Sequence, residues 1–289
     1  MRNFGPAGGG APPRRRRVLW WPILFFGLYA AYYYFTNQET VPITGRTQLV
    51  DMSREQEAAL GLQSYQQILR QEQVVPSGKV VDVVHAAGER LAKAAAPEDP
   101  GFEWEYTVIQ SDQANAFALP GGKVAVYTGI IPIAQNADGL AIIMGHEIAH
   151  AIARHGAERI AHQRLVQLGT LAAGMAMSDM DTQTQHMVMG ALGVGAQFGV
   201  ILPFSRDHES EADHMGLIFA ARACFDPREA PKLWERMASA GGNGQPAEFM
   251  STHPSHDTRI RQFEQWMPEA LEIRAQSCGD QPTQAKPLS

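Results

Sequence analysis

The sequence predicts an α+β domain that is mainly α-helical, contains a small antiparallel sheet and follows a single transmembrane helix. The first observation is composition: 45% of the 289 residues are hydrophobic and 19% are charged, which provides for a sizeable core. A chain that is disordered throughout and a small disulfide-held scaffold are therefore excluded. The second observation is a long, apolar, uncharged segment near the amino terminus. The third is helical periodicity over most of the remainder, interrupted by three short strand-like segments.

The charge is unevenly distributed along the chain. The net charge is −6, yet the first 35 residues contain five arginines and no acidic residue. The rest of the chain has 19 basic and 30 acidic side chains. Such an acidic body offers no basic face to displace phosphate counterions, so we expect no nucleic-acid partner.

Residues 18–35 are predicted to anchor the chain in a membrane. Eighteen uncharged residues of helix rise about 27 Å, close to the hydrocarbon thickness of a bilayer, and aromatic residues stand at both ends. Four arginines precede the segment, so the positive-inside rule places the disordered, basic residues 1–17 in the cytoplasm and the body outside it. A cleaved signal peptide is disfavoured because no small-residue cleavage site follows. A buried core helix is disfavoured because half of the segment is aromatic.

The elements of the body are predicted in chain order from periodicity and turn residues. Residues 36–51 are an expected extended linker, and residues 52–275 are the expected catalytic domain, followed by a flexible tail over 276–289. Helices are expected at 53–73, where a capping-box pattern stands, and at 80–96. Strands are expected at 103–110, 116–119 and 123–128, with a turn at 120–122. Further helices are expected from about residue 136 through 150, and at 209–222, 227–239 and 256–271.

Two features of the body leave alternatives open. Residues 165–177 and 187–202 are apolar and rich in glycine and alanine. The second segment lacks charge, so it could dip into a membrane, although its glycines favour a buried helix of the catalytic domain. Cys224 and Cys278 are the two cysteines of the chain, and they could form a disulfide or remain free thiols.

The strongest chemical signal is the HExxH pattern formed by His146, Glu147 and His150. Residues four apart lie on one face of a helix, so the two imidazoles can converge on one zinc ion. Glu147 then lies beside the zinc-bound water, where a general base is needed. The neighbouring residues are apolar, and two histidines and a carboxylate in a buried helix are costly without a metal.

A second helix downstream can complete the site. Glu209 and Asp213 are a carboxylate pair four residues apart. Glu209 could be the third zinc ligand, and Asp213 could accept a hydrogen bond from the free ring nitrogen of a ligand histidine. Glu211 points to another face and is predicted to be a solvated surface residue. The remaining histidines are not expected to join the cluster: His208 and His214 by their offset from Glu209, and His85, His155, His162 and His186 because no motif surrounds them.

A third piece follows near residue 253. His253 precedes a proline, which favours an extended or turn conformation and suits a side chain that reaches into a cleft from a loop. Arg259 could pair with an acidic group near the site. The spacing of His253 and Arg259 is by itself weak evidence for a functional site.

Together these motifs resemble the gluzincin family that contains the HtpX-type stress peptidases, the BepA-type periplasmic peptidases, the CAAX prenyl proteases and the mitochondrial Oma-type peptidases. The resemblance covers about residues 50–270, and it implies a zincin-like (gluzincin) metallopeptidase fold. It implies one zinc ion, Zn²⁺, on His146, His150 and Glu209, with Glu147 catalytic and Asp213 as the family's second carboxylate. His253 matches a histidine that either stabilises the oxyanion or occupies the open position of the zinc and represses the enzyme. The resemblance also implies a substrate-binding edge strand at Asn115, Ala116, Phe117, Ala118 and Leu119, with Arg259 grouped as a substrate-binding residue.

The expected function is that of a zinc endopeptidase anchored in the bacterial inner membrane with its catalytic domain in the periplasm. The resemblance implies unfolded or misfolded envelope proteins as its partners, since the edge strand of this family binds a chain that is already extended. One alternative is a membrane-tethered chaperone or adaptor whose zinc site is repressed. Another is a prenyl-protein-type protease, which a second membrane span at 187–202 would favour. The oligomeric state is left open.

Overall fold

A computed structural model describes residues 18–178, 183, 204–240, 248–253, 258–279 and 287–288. These residues form two compact units: residues 18–36 with 163–178 and 183, and the described residues from 37 to 162 and from 204 onwards. The apolar segment predicted at 187–202 lies outside the described residues.

The first unit contains helix α1 (Trp20–Thr36) and the later part of helix α6 (His155–Ala176). The Leu19 amide donates to the Ala176 carbonyl over 2.8 Å. A Cβ built on Gly169 would lie 3.1 Å from the Phe26 ring, so the two helices approach closely there. None of the described helices has both the length and the apolar character that crossing a membrane requires.

The second unit contains the helices and sheets of the body, which follow the predicted order. Two helices begin the body: α2 (Arg54–Gln71), with the predicted capping box between Ser53 and Gln56, and α3 (Lys79–Ala95). Helices α4 (Ile131–Ala134) and α5 (Ala137–Ile152) follow the sheet, and Asn136 caps α5. The remaining helices are α7 (Arg206–Arg222), α8 (Glu229–Ser239), α9 (Glu248–Thr252) and α10 (Arg259–Cys278).

The small sheet is mixed, which corrects the prediction of an antiparallel sheet. Strands β4 (Ala116–Leu119) and β5 (Lys123–Tyr127) form a hairpin, whereas β3 (Glu105–Ile109) pairs with β5 in parallel. The strand order is therefore β3-β5-β4, with β4 at an edge. β5 is the central strand: it pairs with β4 through the hairpin on one side and with β3, which runs in the same direction, on the other.

Residues 36–51 are not the extended linker that the composition suggests. They contain a hairpin of two short strands, β1 (Gln38–Thr40) and β2 (Thr47–Leu49). Val41 and Leu49 are almost fully buried, and Val41 belongs to the main core. These two side chains are therefore part of the body, and their burial orders the segment.

The core of the second unit surrounds α5. Every residue of α5 from Asp138 to Ile152 is buried, and α5 packs against α3, α7 and the sheet. Cys224 and Cys278 form a disulfide that connects the residues after α7 to the end of α10. The open question about the two cysteines is thereby answered in favour of pairing.

Candidate metal centre and active site

Helix α5 brings His146 and His150 together inside the core. They lie one turn apart, and their Nε2 atoms are 3.0 Å apart. Both residues are buried, and burial lowers the pKa of both rings well below the usual value for histidine. Both rings are therefore neutral at pH 7, and each can offer a lone pair to a metal ion.

Glu209 of helix α7 lies close to both histidines. One Glu209 oxygen lies 3.5 Å from His146 Nε2, and the other lies 3.4 Å from His150 Nε2. Burial raises the pKa of Glu209, but hydrogen bonds to His150 and His253 outweigh it and lower the pKa well below its usual value. The carboxylate is therefore charged although it is buried.

His253 is the fourth residue of this cluster. Its Nδ1 atom lies 3.0 Å from Glu209 Oε1 and 3.2 Å from His146 Nε2. The ring stacks on Phe249, whose amide donates to the Ala114 carbonyl just before β4. The short helix α9 thus holds His253 against the other three residues.

Asp213 and Arg259 support this cluster from behind. Asp213 Oδ1 lies 2.9 Å from His146 Nδ1, so the His146 ring donates its Nδ1–H to the carboxylate. The Arg259 guanidinium donates to Asp213 over 2.7 Å and to Glu209 over 3.0 Å, and it covers the Trp234 ring at 3.4 Å.

Arg259 lies buried behind the cluster, where it pairs with acidic groups. It is the first residue of α10 and is only 2% exposed, with its guanidinium engaged by the two carboxylates and the indole. The expected pairing of Arg259 with acidic groups near the site is therefore present, and a buried guanidinium paired with two carboxylates holds those carboxylates in place.

Glu147 lies between the cluster and the edge strand. It accepts a hydrogen bond from the Ala118 amide of β4, and its Oε1 atom has no hydrogen-bond partner among the described residues. That oxygen lies 3.5 Å from His253 Nε2. Burial raises the pKa of Glu147 to about 7, despite the opposing effect of His253. A carboxylate with such a pKa can both take up and release a proton near neutral pH.

The five predicted strand residues lie at the sheet edge that faces Glu147. Asn115 immediately precedes β4, and its side chain accepts from the Ala116 amide over 2.9 Å. Phe117, Ala118 and Leu119 are partly exposed, and no described strand pairs with the outer edge of β4. Backbone groups at this edge are therefore placed to meet another extended chain.

The four clustered residues fit a zinc ion. His146, His150, Glu209 and His253 each offer one donor atom, and these atoms lie within 4.8 Å of one another. Imidazole and carboxylate are the ligands of catalytic zinc sites. His146 donates through Nδ1, so its Nε2 lone pair faces His150 Nε2 and the charged Glu209. Such a convergence of electron pairs in a buried space requires a cation.

Several buried polar residues next to this cluster were missed by the sequence analysis. Glu211 was expected on the surface, but it is buried and bonds His155 over 2.9 Å and Arg46 over 2.9 Å. His155 is fully buried and contacts His150, and His208 bonds Glu158 over 2.8 Å. One signal could have identified this group, because His155 and Glu158 lie three residues apart directly after a helix that the sequence predicts to be buried.

Comparison with known proteins gives a consistent assignment. Residues 81–267 match the model of Peptidase family M48. Mitochondrial metalloendopeptidase OMA1 of Schizosaccharomyces pombe is 40% identical over 82% of this chain and 68% of its own length. Metalloendopeptidase OMA1, mitochondrial, of Homo sapiens is 32% identical over 83% of this chain and 48% of its own.

A bacterial relative is also found. The beta-barrel assembly-enhancing protease of Escherichia coli (strain K12) is 27% identical over 77% of this chain and 46% of its own length. The chain therefore spans about half of the human and bacterial relatives. The matched region contains α5, α7 and the four clustered residues. The chain belongs to peptidase family M48 and is a zinc metalloendopeptidase.

Proposed function

We propose that this chain hydrolyses peptide bonds in extended segments of unfolded or misfolded envelope proteins. In this proposal, zinc binds His146, His150 and Glu209, and Glu147 is the general base. The observation that carries the proposal is the position of Glu147, which contacts the edge strand through Ala118 and has, beside the ligands, an oxygen without a hydrogen-bond partner among the described residues.

The chemistry follows from the residues around that oxygen. Zinc in such a site supplies Lewis acidity, which acidifies water and polarises the scissile carbonyl. Glu147 takes the proton of the attacking water and later delivers it to the leaving amine nitrogen, both of which its pKa of about 7 permits. Asp213 and Arg259 hold His146 and Glu209 in place, so the ligands need not reorganise during the reaction.

The expected substrate class rests on β4. A chain added to an open sheet edge is bound mainly through its backbone, so many sequences can bind but only in extended form. Folded proteins rarely present such a segment, whereas unfolded ones do. Partly exposed Phe117 and Leu119 offer an apolar surface for one or two side chains of the substrate.

The proposed location is the bacterial inner membrane, with residues 18–35 as a single-pass anchor and the body in the periplasm. Helix α1 exposes many large apolar side chains, which a lipid environment would cover. They are Trp20, Trp21, Ile23, Leu24, Phe25, Leu28, Tyr29, Tyr32, Tyr34 and Phe35. The four arginines before the helix favour a cytoplasmic amino terminus. The disulfide between Cys224 and Cys278 is typical of an oxidising compartment such as the periplasm.

A second candidate state is a repressed site, and the position of His253 favours it. Its Nδ1 atom lies among the other donor atoms, which makes it a candidate fourth ligand at the position that substrate and water need. In that state the body would bind extended chains without cleaving them until His253 moves away.

Cleavage of a matched pair of reporters tests the proposal. One reporter is a permanently unfolded variant of a small domain, and the other is the same domain in its folded form. The full chain in detergent, loaded with zinc, should cut the unfolded reporter and leave the folded one intact. Glu147→Gln should cut neither, while binding as much zinc as the wild type. Equal cleavage by both proteins, or equal cleavage of both reporters, would contradict the proposal.

A further inference from the structure

A buried line of contacts leads from the zinc ligand His150 to Glu211. His150 Nδ1 lies 2.8 Å from His155 Nδ1, and His155 Nε2 lies 2.9 Å from Glu211 Oε2. All three side chains are at most 5% exposed. His146 is held differently, because Asp213 contacts its ring directly.

The direction of each hydrogen bond in this line follows from its ends. The Nε2 atom of His150 faces His146 and Glu209, so as a ligand it must keep its lone pair and carry the hydrogen on Nδ1. Among the described residues, the partner of that Nδ1–H is His155 Nδ1, which must therefore accept. His155 then carries its hydrogen on Nε2 and donates to the Glu211 carboxylate. In this arrangement, each hydrogen bond of the line has one donor and one acceptor.

Arg46 fixes the far end of the line. It lies between β1 and β2, donates from Nε to Glu211 over 2.9 Å, and spans Glu158 with two bonds of 2.9 and 2.7 Å. Thr44 also donates to Glu211. Arg154, in the turn before His155, donates to Glu39 of β1 over 2.5 Å. The hairpin of residues 38–49 is thus tied on two sides to the segment that carries His155.

We propose that His155 and Glu211, held in place by Arg46, are positioning residues that orient His150 and set the tautomer with which it binds zinc. The proposal rests on the proposed function, since it takes His150 as a ligand. The hairpin of residues 38–49 then helps to position the metal centre. Acceptors behind ligand histidines raise metal affinity, and their loss typically costs about 10–100-fold.

Two amide substitutions at His155 separate its two contacts. The oxygen of asparagine can occupy the place of His155 Nδ1 and accept from His150, whereas the longer glutamine reaches the place of Nε2 and can bond only Glu211. In competition with a chromogenic chelator, His155→Gln should bind zinc at least about tenfold more weakly than the wild type. His155→Asn should stay within about threefold. The cobalt(II)-loaded proteins should show the same order, with an altered visible absorption spectrum for His155→Gln alone.

Arg46 has a matched control in the same chain. Arg222 is exposed to almost the same extent, 29% against 28% for Arg46, and it pairs with Glu98 far along the sequence. We expect Arg46→Gln and Glu211→Gln to weaken zinc binding by about tenfold, whereas Arg222→Gln leaves it unchanged. The melting temperatures of the zinc-free proteins show whether a variant is folded.

The outcomes separate this inference from the proposed function. If the wild type fails to bind one zinc ion per chain, the proposed metal centre itself is wrong. If the wild type binds zinc but folded His155→Gln binds it equally well, only the positioning role of His155 is overturned. If Arg46→Gln behaves like Arg222→Gln, the line ends at Glu211 and the hairpin has no part in it.

Discussion

Gly145 of α5 and Gly216 of α7 face each other without side chains at the point where the two helices meet. A Cβ on Gly145 would lie 2.9 Å from the Gly216 carbonyl oxygen, and a Cβ on Gly216 would lie 2.7 Å from the His146 amide nitrogen. The two backbones are therefore closer than any larger residue permits. This closeness places Glu209 and Asp213 of α7 within reach of the two histidines of α5.

We expect Gly216→Ala to destabilise the protein and weaken its zinc binding. The added methyl group would meet backbone atoms, which cannot rotate away, so the helices must separate. Overpacking of this kind costs about 1–3 kcal/mol of the free energy of unfolding, measured by denaturant titration. Gly156→Ala is the matched control, because nothing lies within 4 Å of its Cβ position. It should be neutral or stabilising by up to about 1 kcal/mol, and equal losses for both variants would rule out the close contact as the cause.

Glu147→Gln should lower the rate of peptide cleavage by at least about 100-fold, since an amide cannot accept the proton of the attacking water. Because Glu147 is not among the clustered donors, the zinc content should stay at the wild-type level, which elemental analysis of the purified protein measures. A variant that has lost its zinc would indicate that Glu147 is a ligand, contrary to the assignment.

His253→Ala should raise the cleavage rate of the zinc-loaded protein. The substitution removes a ring whose Nδ1 lies 3.0 Å from Glu209 and would free the position beside Glu147 for water and substrate. The initial rate on the unfolded reporter is the measurement. A fall in that rate instead would indicate that His253 stabilises the oxyanion, and the repressed state would then be wrong.

Loss of the disulfide should lower the stability of the second unit. The bridge joins residues 54 positions apart, and closing a loop of this size contributes about 4 kcal/mol in the chain-entropy model. A reducing agent should therefore lower the melting temperature of the wild type. The same agent should have no effect on the double variant Cys224→Ser, Cys278→Ser, and an effect there would show that reduction acts elsewhere.

Glu158 should make stability depend on pH in the acid range. Burial raises its pKa, but hydrogen bonds with His208 and Arg46 outweigh it and lower the pKa to about 2. In the unfolded chain the pKa is about 4.3. The native state therefore binds this proton less readily, so the contribution of Glu158 to stability is complete above about pH 5 and is lost as the pH falls towards 2.

The Glu158→Gln variant makes this dependence measurable. Its melting temperature should lie well below that of the wild type at pH 7, and the difference should shrink progressively between pH 5 and pH 3. Glu105→Gln removes a half-exposed carboxylate that pairs with Lys123 at 3.3 Å, so it should change little at any pH. A difference for Glu158→Gln that is independent of pH would contradict the ion-pair assignment.

Local patterns predicted most elements of this protein because their causes are local. The capping box at Ser53 and Gln56 is present as predicted, and the helix through His146 and His150 begins at Ala137 after its Asn136 cap. Helix periodicity alone puts His146 and His150 on one face, and it puts Glu209 and Asp213 on one face of another helix. The HExxH motif therefore indicated the metal and the base, and the carboxylate pair downstream offered a candidate third donor.

Which faces of a helix are covered by other elements is not a local property. The predictions of a solvated Glu211 and of a linker at residues 36–51 were wrong for this reason. Glu211 lies about 200° around the helix from Glu209, which correctly predicts a different face but does not reveal what packs on it. That face meets His155 and the hairpin of residues 38–49, whose short strands look like a linker until their partners are known. The parallel pairing of β3 with β5 likewise depends on which of the two outer edges of the hairpin β3 joins.

The sequence by itself determined the helices, the spacing of the ligand residues and hence the class of chemistry. Only the tertiary structure decided that His253 joins the cluster, that Arg259 is buried behind the ligands, and that His155 and Glu211 line up behind His150. The physical reason is that spacing within one helix follows from the geometry of the backbone. Contacts between residues 50 to 165 positions apart depend on how whole elements pack against one another. Where α5 meets α7, the contact is made by two glycines, which have no side chain to mark it in the sequence.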